Sequence, residues 1–214
     1  MNKTLGALAS LALCGSASAA DFGVMETAES IEPKAFKLTG FPLLTDRDRG
    51  RGDSDEESAF AVALGYGLPY GLDVEGQVAR DDIATYFGSD LEWNAWSGDR
   101  MKFSFGGGLH TVDLDDGGSA NGVDTTAIFT YTPIRRLDVN AALDASYEDV
   151  NGGSGNEPNL PERFRTDNQY ETAYFAPGLE FQMTRNLDLL AEAGVGLNDA
   201  SDDYLGAGLS WYFH

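Results

Sequence analysis

The final twelve residues, Asp203 to His214, alternate without a break. Leu205, Ala207, Leu209, Trp211 and Phe213 fall on one face of an extended chain; Tyr204, Gly206, Gly208, Ser210 and Tyr212 fall on the other. A period of two belongs to a strand with two unlike faces, and here the apolar face carries aromatic rings to its end.

The same pattern recurs upstream. Leu137, Val139, Ala141, Leu143, Ala145 and Tyr147 alternate with Asp138, Asn140, Ala142, Asp144, Ser146 and Glu148. Leu187–Leu197, Phe60–Leu68 and Met101–Thr111 repeat it, and Leu72–Val78, Val123–Pro133 and Ala173–Met183 read as further strands. Phe36–Leu44 and Leu91–Trp96 are fainter; with them the count is ten, without them eight. Short breaks at Pro69-Tyr70-Gly71, Ser97-Gly98-Asp99, Arg135-Arg136 and Arg185-Asn186 are tight turns. Between them lie longer polar breaks at Asp46–Ser58, Asp81–Asp90, Asp113–Gly122, Asp149–Asn168 and Asn198–Asp203. Pro177 interrupts one strand and predicts a bulge there, because proline cannot donate to a ladder.

The other end of the chain is a leader. Lys3, the apolar stretch Leu5–Cys14 and Ala17-Ser18-Ala19 read as a secretory signal peptide over 1–20. Cys14 offers a lipid-modified alternative, against which Leu13 stands where such sites want a small residue. Residues 21–33 are expected to form an N-terminal periplasmic segment and residues 34–214 the β domain. Acidic residues number 35 against 14 basic ones, for a formal net charge of −21, and loss of Lys3 makes the mature chain one charge more acidic. That balance argues against a nucleic-acid partner, which needs a basic face. No apolar run reaches the roughly 18 residues of a transmembrane helix.

Strict alternation of long and short connections, the closing aromatic strand and the leader together make the chain resemble small bacterial outer-membrane β-barrels, the structural and opacity-like members of the porin superfamily. The resemblance covers almost the whole mature chain. It implies an all-β fold, a single closed antiparallel transmembrane barrel in the outer membrane of a Gram-negative cell, with short turns in the periplasm and long loops outside. It also implies that the assembly machinery reads the closing aromatics Trp211 and Phe213, although here His214 follows them. Two aromatic girdles are expected: Tyr66, Trp93, Phe103, Tyr131, Phe181, Trp211 and Phe213 at the inner interface, and Phe60, Tyr86, Phe87, Tyr147 and Phe175 at the outer one.

Chemistry is sparse. Asp73, Glu75, Glu92, Asp138, Glu180, Asp188 and Glu192 are expected to face the lumen in the periplasmic halves of their strands, as an acidic ring. Such a ring favours cations if the bore is open, or pairs with Lys102, Lys37 and inward-folding turn arginines if the bore is filled. Asp113, Asp115, Gly117 and Asp124 match the spacing of a calcium loop, with no flanking helices. Arg51-Gly52-Asp53 resembles the tripeptide that integrins read. The omptin proteases resemble the chain in strand number, but only His110, near Asp113 and Asp115, and terminal His214 are available for such chemistry. The reading is a non-enzymatic structural or surface-interaction barrel with acidic extracellular loops, no cofactor beyond possible loop calcium, and membrane lipid and the assembly machinery as partners. A narrow cation-preferring channel is the alternative, and a rim hydrolase the third.

Overall fold

A computed structural model describes residues 27–48, 54–115, 118–151 and 169–214. The leader, Arg51-Gly52-Asp53 and Gly117 lie outside the described residues. Ten antiparallel strands form one closed sheet: β1 (Phe36–Asp48), β2 (Ser54–Leu68), β3 (Leu72–Arg80), β4 (Ala84–Ser97), β5 (Met101–Leu114), β6 (Ser119–Ile134), β7 (Leu137–Asn151), β8 (Gln169–Gln182), β9 (Leu187–Gly196) and β10 (Asp203–Phe213). Each strand pairs with its sequence neighbours, and β10 closes on β1 with Phe36 opposite Phe213. Closure leaves no free strand edge, so apart from local lapses such as that on β8 the ladder is satisfied within the sheet and the structure can sit in hydrocarbon.

The alternation sorts the two faces as the residues predict. Leu64, Leu91, Leu109, Leu143, Leu189, Leu205 and Leu209 are exposed on the outside. A surface of this kind needs lipid around it, since no soluble monomer leaves so continuous an apolar band in water. The inward face carries small, polar and acidic residues instead. At the β2–β3 connection Tyr70 and Gly71 both take positive φ, 70° and 71°, which reverses the chain in two residues.

Three expectations need correction. The strands run further outward than hydropathy shows: β4 begins at Ala84 and β6 at Ser119, so the breaks at Asp81–Asp90 and Asp113–Gly122 shrink to Asp81–Ile83 and 115–118. Backbone pairing continues past the lipid boundary, where side chains need no longer alternate in polarity. Pro177 makes no bulge. Its register to β7 is unbroken, and pairing to β9 lapses only between Phe175 and Gly178, resuming in the same register. Proline needs only to forgo one bond, and its outward ring faces lipid. The irregularities fall instead at Asn94/Trp96 and Tyr131/Ile134. Finally, Tyr86 does not join the outer girdle. It is 1% exposed and points into the bore, because β4 starts earlier and its parity follows from there.

Candidate functional site: the bore and its two mouths

All seven expected ring acids face inward, but they do not form one ring. Asp73, Glu92, Glu180 and Asp188 are buried in the half of the bore at the short-turn end, here called the inner half, around Lys37. Lys37 Nζ lies 3.9 Å from Glu75 Oε2, and its charge also acts on Asp73, Glu92, Glu180 and Asp188. Asp138 lines the inner mouth. Glu192 belongs with the outer half, where it accepts a hydrogen bond from Tyr204 Oη at 2.6 Å.

Sequence reasoning missed the main occupant of the inner half. Residues 27–35 fold back into the barrel instead of hanging in the periplasm. Ala28 N donates to Thr130 Oγ1 on β6 at 2.8 Å, and Ile31 N donates to Asp73 Oδ2 on β3 at 2.9 Å. Asn94 on β4 donates to the Ala28 carbonyl, and Lys102 Nζ on β5 meets Glu29 Oε1 at 2.7 Å. Lys102 therefore binds the segment, not the strand acids as expected. Lys34 N and Gly67 N exchange backbone hydrogen bonds with Gly67 O and Ala35 O, anchoring the exit beside β2. Ala28 is fully buried. Gly67 is required here, since a Cβ would strike the Ile31 and Glu32 carbonyls. Between segment and wall, Asp73, Glu75, Asp90 and Glu92 enclose about 20 Å³, room for about one water.

The outer half is filled by the strands themselves. Phe41, Leu43, Tyr86, Tyr174 and Tyr204 are packed inside it, none more than 4% exposed, and the buried Ile128 lies between the two halves. Tyr174 and Tyr204 rings lie 5.8 Å apart, and Tyr86 lies 5.4 Å from His110. His110 does not meet Asp113 or Asp115. Its Nδ1 is 3.1 Å from Asp124 Oδ2 and its Nε2 3.3 Å from Glu148 Oε1, with all three side chains at most 5% exposed. Thr126 Oγ1 donates to Asp144 Oδ1 at 2.6 Å below them.

That arrangement dismantles the calcium spacing. Asp124 sits in β6 opposite Gly108 and points into the bore, whereas Asp113 pairs opposite Ser119 at the hairpin end and is exposed. Asp115 makes a two-pronged bond to Arg80, 2.8 and 2.6 Å, and the guanidinium holds its carboxyl below the ordinary 3.8. Among the described residues no cluster of His, Cys, Asp or Glu is placed to hold a metal ion. The parity of Asp124 on β6 was readable; its partner His110 on β5 was not, since it required the register.

At the inner mouth a vestibule of about 560 Å³ opens to solvent, with Arg135, Arg136 and Arg185 on its lip and Asp138, Glu180 and Asp188 deeper. The turn arginines stay exposed and do not fold in toward the acids.

No family model and no curated protein matches the sequence. Solved structures do. The COG4313 outer-membrane channel from Pseudomonas putida F1 superposes with a TM-score of 0.52 at 11% identity, over 87% of this chain and 98% of that one. The KdgM porin gives a TM-score of 0.49 at 10% identity, over 83% and 99%. Ail, the attachment invasion locus protein of Yersinia pestis, gives 0.39 at 12%, over 85% and 99%. The chain has the fold of a small outer-membrane β-barrel. At these identities the likeness is one of fold alone.

Proposed function

We propose that the protein is a non-conducting outer-membrane barrel, a structural or surface-interaction protein that presents acidic loops to the medium. One observation carries this reading: the bore is occupied along its length, by Tyr86, Tyr174, Tyr204, Phe41 and Leu43 in the outer half and by residues 27–35 in the inner half. Side chains filling the lumen are what small structural barrels use in place of a pore. A non-enzymatic role is supported by the seclusion of His110, whose side chain is wholly buried between two carboxylates and out of a substrate's reach. Lipid surrounds the apolar belt, and Trp211 and Phe213 end the closing strand in the form that assembly machinery would read.

The channel alternative draws on the acids around Lys37, which favour cations. It requires both fillings to move. Single-channel recording of the purified protein in planar bilayers tests the choice. The proposal expects no stable conductance, with Glu180→Gln plus Glu192→Gln altering stability only. Steady currents that prefer potassium over chloride, and lose that preference in the double variant, would promote the channel.

A further inference from the structure

Apart from Lys37 and Lys102, which lie in the bore, the basic residues of the described chain are partitioned between its ends. The short turns carry Arg100, Arg135, Arg136 and Arg185 with Asp99, and Lys34 and Glu32 lie beside them. The opposite end carries Arg47 and Arg80, the latter bound to Asp115, among Asp81, Asp82, Asp113, Asp149, Asp199, Asp202 and Asp203. None of the four turn arginines forms an ion pair with a described residue.

The backbones of the turns that carry these arginines are tied down. The arginines sit on the β4–β5, β6–β7 and β8–β9 turns, which follow one another round the rim. Thr132 N donates to the Arg100 carbonyl at 2.8 Å, and Gln182 N to the Arg136 carbonyl at 2.9 Å, so each turn is tied to the next strand. Asn186 is tied to Tyr212 in both directions, at 3.0 and 2.9 Å. Their depth is set by their neighbours. Met101 follows Arg100, Ile134 precedes Arg135, and Met183 lies two residues before Arg185, all exposed on the lipid face; Trp96 and Trp211 are exposed nearby. Aromatic and apolar side chains mark the edge of the hydrocarbon, so guanidinium groups one or two residues beyond it stand among the headgroups.

We propose that this arginine arc binds the phosphate groups of anionic glycerophospholipids in the leaflet at the short-turn end. Guanidinium forks match phosphate geometry and hold it by paired charge-assisted bonds, and a fixed backbone lowers the ordering cost. The vestibule behind the arc does not suit a soluble anion. Its lining includes Glu29, Glu32, Asp99, Asp138, Glu180 and Asp188 beside Lys102 and three arginines, so the cations there already face carboxyl groups and offer a soluble anion no net positive charge. Arg135, Arg136 and Arg185 border the vestibule but are exposed, and an anion held in the membrane plane would approach them from outside it, past Met101, Ile134, Met183 and Trp211.

The naming of that leaflet as periplasmic rests on the reading under Proposed function; the lipid contact does not. The protein is reconstituted in phosphatidylcholine nanodiscs doped with phosphatidylglycerol, and retained lipid is measured by native mass spectrometry. Wild type should be enriched in phosphatidylglycerol over the bulk mixture. Arg135→Gln/Arg136→Gln/Arg185→Gln should lose that enrichment by about tenfold or more, since each basic residue at an anionic surface adds to the attraction, while Asp113→Asn/Asp199→Asn at the other rim should keep it. Bulk composition around wild type, an unchanged triple variant, or displacement of phosphatidylglycerol by soluble glycerol phosphate would each overturn the proposal. Orientation is read separately on Tyr70→Cys, a position 92% exposed in the β2–β3 turn. Its protection from an impermeant maleimide in intact cells, and labelling once the outer membrane is permeabilised, supports the periplasmic assignment; labelling in intact cells contradicts that assignment and leaves the lipid result standing.

Discussion

The two halves of the bore are closed by different means. In the outer half the filling is covalently part of the wall: Tyr86, Tyr174, Tyr204 and the His110–Asp124–Glu148 group project from β4, β5, β6, β7, β8 and β10. In the inner half it is a separate piece of chain, residues 27–35, held by a few hydrogen bonds and the Lys102–Glu29 pair among acids that share Lys37. A filling built from alternate strand residues cannot leave without unfolding the sheet. A segment held to the wall by hydrogen bonds and an ion pair is not part of the sheet, so its release would leave the strand ladder intact. The same sequence thus fills one half with its own wall and the other with a separate piece of chain.

The largest effect should come from the outer half. His110→Ala leaves Asp124 and Glu148 facing each other in a closed space, and breaking a buried pair in this way costs about 3–5 kcal/mol. Urea-driven unfolding in detergent should register that loss, whereas Lys102→Gln, which releases Glu29 at the partly exposed inner mouth, should cost under about 1 kcal/mol. Comparable costs would erase the distinction between the halves.

Packing offers a second comparison, along one strand. A methyl group at Gly108 would overlap Asp90 Oδ1 and lie 2.6 Å from Asp124 Oδ1, whereas at Gly106, two residues nearer the inner mouth, the nearest atom is 3.7 Å away. Gly108→Ala should destabilise by about 1–3 kcal/mol, and Gly106→Ala should be close to wild type. Heat-modifiable gel migration would check both; equal tolerance would show the outer half to be loosely filled.

How much of this was readable before folding differs between wall and filling. The wall was legible because period-two alternation is local: Leu143 outward and Asp144 inward follow from one strand alone, and eight clear runs with the fainter Phe36–Leu44 and Leu91–Trp96 match the ten strands. The filling was not, because its contacts join distant parts of the chain. His110 finds Asp124 and Glu148 only through the β5–β6 and β6–β7 registers, and Ala28 finds Thr130 across 102 positions. Residues 27–35 carry no alternation, so their polarity gave no sign that they would be buried. Asp124 was misleading for a specific reason: its sequence distance from Asp113 suits a calcium loop, while a hairpin spends that distance climbing back down the barrel.

The smallest expected effect lies outside both halves. The Asp115 carboxyl is lowered by Arg80, so the pair contributes stability that is present above the ordinary carboxylate value of 3.8 and fades as pH falls through the lowered one. Both groups are exposed, so the contribution is slight. A pH series of melting temperatures should show a shallow loss in that acid window that Arg80→Gln removes; an identical series in the variant would mean that the pair does nothing.

The central claim, that the outer half is a permanent seal, is tested most directly by single-channel recording on the protein with residues 27–33 deleted. Removing the segment empties the inner half and widens the vestibule but leaves Tyr86, Tyr174, Tyr204 and Leu43 in place. The account predicts that the deleted protein, folded by the gel-shift criterion, stays as silent as wild type. Stable cation-selective openings on deletion would contradict it, and would show that residues 27–35 alone hold the barrel shut.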